Sequence, residues 1–165
     1  MNRNWLTVGV NFVILLFLQI FVCNAVYLGI YLNVQIYLMF ILFLPVNFSK
    51  SLVLFLSALM GFCIDLFSGE LGLHMAACTL TAYVRPYLLK RISTSDELEI
   101  PPINKIHFGQ YLIYTGTLVI LHHLLLFSLE TFNLRDIFFV VTRTLLSAVF
   151  NIILIGLARV VVTRI

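Results

Sequence analysis

The sequence predicts an all-α fold: a polytopic membrane bundle of six transmembrane helices forming one integral domain over residues 1–165. Three observations carry the expectation. Hydrophobic residues make up 62% of the chain and charged ones 10%, with a mean hydropathy of +1.09, whereas ordinary globular domains carry about 25% charged residues. The apolar runs approach the length of a bilayer crossing, about 20 residues. The basic residues also sort to one side once the runs are threaded through a membrane.

The expected spans are about 6–27, 32–44, 52–67, 73–89, 108–127 and 137–162. The first follows Arg3 like a signal peptide but has no small-x-small cleavage site. Cys23 is preceded by Phe21 and Val22 rather than the small residues of a lipoprotein site, so the segment reads as an uncleaved helix. The second is aromatic-rich (Tyr31, Tyr37, Phe40, Phe43) and ends at Pro45, Asn47, Ser49 and Lys50. Like the third, it is short, which implies local thinning or a broken helix. Ser68, Gly69, Glu70 and Gly72 separate the third span from the fourth, and Arg85-Pro86 close the fourth. Residues 90–107, with Pro101-Pro102 and the acidic stretch Asp96 to Glu99, form a polar cytoplasmic linker before the last two spans.

With the amino terminus inside, Arg3, Lys50, Lys90, Arg91, Lys105, Arg159 and Arg164 fall on the cytoplasmic side, with Arg85 close by, and the outer loops carry only Arg135. Asp65, Glu70, Glu130 and Asp136 fall toward the outside. Both termini are therefore expected in the cytoplasm. Lys90, Arg91 and Lys105 stand where anionic lipid head groups lie. A net charge of +3, thinly spread, excludes nucleic acid as an expected partner. Cys23, Cys63 and Cys78 contain no close pair, so neither disulfides nor zinc are indicated. No nucleophile motif, phosphate loop, metal signature or catalytic carboxylate pair is present. The expectation is a non-enzyme without cofactor or metal.

Asp65 lies in the apolar run from Ser51 to Phe67, where a charge costs about 2.5–3.5 kcal/mol on insertion scales. On a helix, residues four apart share a face, which aligns Ser57, Gly61, Asp65 and Gly69. Small residues there allow close helix packing, as do Gly72 and Ala76. His74, Cys78, Thr81 and Arg85 line the fourth span, and Arg143, Ser147 and Asn151 the sixth. At about 1.5 Å per residue, Asp65, Arg143 and His122 reach similar depths in the outer third of the bilayer. The expected cluster is an Asp65–Arg143 ion pair with His122 and His74 around it, architectural in role. The opposing reading has Asp65 and Arg143 snorkelling separately to the interface. His122 and His123 are adjacent and point to different faces, so one is expected at the interface near Glu130.

The run Gly61-Phe62-Cys63-Ile64-Asp65-Leu66-Phe67-Ser68-Gly69-Glu70-Leu71-Gly72-Leu73-His74-Met75-Ala76-Ala77 resembles the signature of the rod shape-determining protein MreD family: a glycine, an apolar step, an aspartate, and a glycine turn into a small-residue helix. Length, six spans, Gln19 and Arg85-Pro86 agree. A departure is Asn33-Val34-Gln35 where many members open the second span with proline. The resemblance implies a scaffold in the inner membrane of bacteria, binding the single-span protein MreC and connecting MreB filaments with wall-synthesis enzymes. It also implies the fold of the substrate-binding components of energy-coupling-factor transporters. A small-solute or vitamin-binding component of such a transporter is the alternative function. The bulky first helix, Val10 to Gln19, disfavours it, because docking in those transporters uses small residues at four-residue steps.

Overall fold

The computed structural model describes residues 2–26, 28–92 and 106–162. The linker expected at 90–107 falls largely outside these residues, as do Lys105 and Arg164. Among the described residues the regular structure is all helical: α1 (Asn2–Leu18), α2 (Leu38–Phe43), α3 (Lys50–Ser68), α4 (Leu73–Ile92), α5 (Phe108–Thr131) and α6 (Ile137–Val162). Among the described residues four stretches are long and apolar enough to cross a membrane: Trp5–Cys23, Lys50–Ser68, Phe108–Thr131 and Ile137–Arg159. α4 matches them in length but carries His74, Arg85, Lys90 and Arg91 along one helix.

Local chemistry sets the boundaries. Ser49 caps α3, its Oγ accepting from Leu52 N, and Gly69 ends the helix at φ 72° with its N–H returning to the Asp65 carbonyl. That left-handed conformation is open to glycine at little steric cost. His107 and Gln110 form a capping box at the start of α5. A 3-10 turn, Leu134–Asp136, opened by the Asn133 side chain, leads into α6.

The second expected span is corrected. Only Leu38–Phe43 is α-helical, and residues 28–35 have no regular structure. α1 likewise ends in a π-helical turn, Gln19–Cys23. The short α2 is nevertheless central: Leu38, Ile41 and Leu42 are fully buried beside Met60, Ile64, Leu118 and Ile155.

Successive helices pack on one another, α3 on α4, α4 on α5 and α5 on α6, while α1 lies at the edge against α2 and α3. α1 turns Leu6, Val13 and Phe17 outward, and its π-helical extension does the same with Phe21. The α3–α4 hairpin is tightest at Gly61, where an added Cβ would stand 2.5 Å from the His74 carbonyl oxygen and 2.6 Å from Met75 Cα. Gly61 is therefore what brings the start of α4 within reach of Asp65, one turn further along α3.

Candidate functional site: the Asp65 cap and the adjoining polar cavity

The first turn of any helix has N–H groups without intrahelical partners. In α4 those of His74 and Met75 are taken by Asp65: Oδ1 accepts from His74 N at 2.9 Å and Oδ2 from Met75 N at 2.9 Å. Oδ1 also lies 3.0 Å from His74 Nδ1, and that nitrogen lies 3.0 Å from Glu70 Oε2. The carboxylate is 2% exposed. It is held by the positive end of a helix and by an imidazole, which accounts for a charge in an otherwise apolar run.

The expected Asp65–Arg143 pair is not formed. Arg143 Nη1 bonds Glu130 Oε2 at 2.9 Å, and Asn33 Oδ1 accepts from its Nη2 and Nε at 3.0 Å each. The guanidinium also lies over the Phe127 ring, 4.1 Å from its centroid. Equal depth did not bring the two together, because α3 turns its polar face to α4 whereas α6 packs on α5. Of the expected cluster, the structure joins Asp65 to His74 alone. His122 lies deeper, with Nε2 2.7 Å from the Tyr37 hydroxyl and Nδ1 3.2 Å from Thr81 Oγ1. His123 is not interfacial: it is fully buried, with Nδ1 2.8 Å from the Val119 carbonyl and Nε2 3.2 Å from Asn151 Nδ2.

The small-residue stripe divides in the same way. Ser57 and Gly61 are buried between helices, and Ser57 Oγ has no hydrogen-bond partner among the described residues. Gly69 and Ala76 are exposed, so they do not pack against protein as expected. Gly69 serves the turn, and Gly72, at φ 79°, accepts from Ala76 N at 3.0 Å.

Several of the other polar side chains hold backbone. Ser147 Oγ accepts from Asn33 N and donates to the Tyr31 carbonyl, both at 3.0 Å. Asn151 accepts from Gln35 N and donates to the Asn33 carbonyl, both at 2.7 Å. From the π-helical turn after α1, Gln19 donates to the Val34 carbonyl and accepts from Ile36 N, both at 2.9 Å. Residues 32–34 are half-buried and Gln35 buried, and irregular chain so placed in a membrane protein is tolerated when its polar groups are satisfied in this way. At the other end of α2, Tyr114 donates to the Leu42 carbonyl at 3.0 Å and Arg85 Nη2 to the Leu44 carbonyl. Arg85 Nε donates to Tyr114 at 3.1 Å. Gln19, Asn33, Tyr37 and Tyr114 were absent from the expected cluster. Gln19, a lone amide late in an apolar run, was the one visible signal.

Between the irregular segment and the α3–α4 turn lies a cavity of about 600 Å³, whose lining includes Gln19, Asn24, Asn33, Glu70, His74, Glu130 and Arg143. The donor atoms of Asp65, Glu70 and His74 lie within 4.8 Å of one another, a set able to hold a metal ion. The α4 N–H groups bonded to the same Asp65 oxygens oppose a cation there. No family model, curated protein or solved structure matches the chain.

Proposed function

We propose that this chain is a non-catalytic scaffold of the bacterial cell-elongation machinery, an MreD-type protein of the inner membrane. In this role it binds a single-span MreC-type partner and links MreB filaments to peptidoglycan synthesis. The observation that carries the reading is the Gly61–Ala77 run. The residues that resemble the family signature are those that build the α3–α4 hairpin, and the buried carboxylate among them, Asp65, is engaged by backbone N–H groups instead of being free for chemistry.

The six-crossing topology belongs to the same proposal. α4 is the fourth crossing, and α2 with its irregular lead-in is the second. Lys50, Lys90, Arg91 and Arg159 mark the cytoplasmic end and Glu70, Glu130 and Asp136 the outer end, with both termini inside. The fold proposed is that of energy-coupling-factor substrate-binding components.

The test is affinity purification of the tagged full chain from native membranes after in-cell crosslinking from α1 and α3. Recovery of a single-span protein with an outer domain, together with loss of rod shape on depletion, is expected. Recovery of a transporter's energising subunits with unchanged cell shape would overturn the scaffold in favour of the solute-binding alternative.

A further inference from the structure

The cavity beside the Asp65 hairpin has a size and charge of its own, independent of the scaffold reading. Its volume, about 600 Å³, lies within the range of small-molecule sites, about 300–1,000 Å³. Two carboxylates reach it from different elements: Glu70 on the α3–α4 turn, 33% exposed, and Glu130 near the end of α5, 37% exposed. Each uses Oε2 in a bond, to His74 and to Arg143, and among the described residues neither Oε1 has a partner.

The cationic side is already engaged. Arg143 has Glu130 on Nη1, Asn33 on Nη2 and Nε, and Phe127 against its face. His74 stands between Asp65 and Glu70. Along the lining Glu70 faces His74 and Glu130 faces Arg143 one for one, and the buried Asp65 carboxylate behind His74 leaves the whole cluster one negative charge in excess even with the imidazole protonated. Charge excess in a partly enclosed cleft with low-dielectric walls is felt more strongly than in water.

We infer that this cavity is a binding site for a small organic cation carrying a protonated amine, whose N–H donors engage the unpartnered oxygens of Glu70 and Glu130. A bare metal ion would leave most of the volume unfilled and would meet the α4 N–H groups at Asp65. The amine needs only the two unpartnered oxygens, with room for a body the size of a monosaccharide or amino acid.

Cys23 lines the same cavity and supplies a reporter. In detergent-solubilised full chain carrying Cys63→Ser, maleimide labelling of Cys23 and thermal unfolding are measured with three probes of like size: glucosamine, N-acetylglucosamine and glucuronate, at millimolar concentration. Glucosamine is expected to slow labelling and raise the unfolding temperature, while the neutral and acidic sugars do neither. Glu70→Gln is expected to weaken the glucosamine effect about tenfold, as loss of one charge-assisted hydrogen bond implies. Equal effects from all three sugars, no effect from any, or an undiminished effect in Glu70→Gln with Glu130→Gln would overturn the inference. Should the variants fail to fold, the three-probe comparison on Cys23 decides it.

Discussion

Gly61→Ala probes the hairpin at its closest approach. The added methyl would stand 2.5 Å from the His74 carbonyl oxygen and 2.6 Å from both its carbon and Met75 Cα, all backbone atoms that no rotamer change can move. Relief to ordinary contact requires the α3–α4 hairpin to open by about 1 Å. The same opening stretches the bonds from His74 N and Met75 N to Asp65, now 2.9 Å, beyond the roughly 3.2 Å limit of a good N–H···O bond. Overpacking costs about 1–3 kcal/mol and each weakened bond to a charged acceptor up to about 1.5–3 kcal/mol. With about half of each of the two bonds lost, the total is about 3–6 kcal/mol, a large share of the roughly 5–15 kcal/mol by which proteins are stable. Thermal unfolding of purified chain in detergent, followed by circular dichroism, should fall by roughly 10 °C or more. Gly156→Ala is the control, because nothing lies within 4 Å of a Cβ there; it should match or exceed the parent. If Gly61→Ala unfolded with the control, and the His74 and Met75 amides kept their protection from hydrogen exchange, the close-approach argument would be refuted.

Asp65→Ala should cost at least the roughly 0.5–2 kcal/mol of a helix cap, with amide exchange accelerated first at His74 and Met75; uniform loosening across all helices would contradict a capping role. Asn151→Leu removes the partners of Gln35 N and the Asn33 carbonyl, each orphaned group costing about 1–3 kcal/mol. Limited proteolysis should then open the chain at 28–36 while α4 and α5 stay intact. Arg85→Met should destabilise by a similar amount by freeing the Leu44 carbonyl, and a full-stability variant would show that the α2 terminus finds another donor. The Arg143–Glu130 pair is partly exposed, so a double-mutant cycle on unfolding temperature should return a coupling of about 1 kcal/mol or less; a larger value would mark the cavity as drier than its geometry indicates.

The candidate site was half legible. Asp65 declared itself because a charge in an apolar run needs a partner, and Gly61 because small residues at four-residue steps permit contact. The partner itself was misassigned to Arg143. Matching by depth and opposite charge considers side chains only, while the donors that reach Asp65 are mostly main-chain N–H groups of the next helix. Ser147 and Asn151 were recognised as an interior stripe without the reason for it, which is that they bond the backbone of residues 31–35.

Composition and local chemistry by themselves determined the helical class, the positions of α3 to α6, the turn at Gly69 and the sorting of basic and acidic ends. Each depends on side-chain transfer energies or on the φ preference of a single residue, both written into neighbouring letters. The irregular path through residues 28–35, the six-residue α2 and the partners of Asp65, Arg143, His122 and His123 were decided only in three dimensions. Hydropathy counts side chains and is blind to whether a backbone bonds itself or is bonded by others. Once Gln19 from one helix and Ser147 and Asn151 from another supply those bonds, an apolar stretch can leave the helix without leaving buried polar groups unsatisfied.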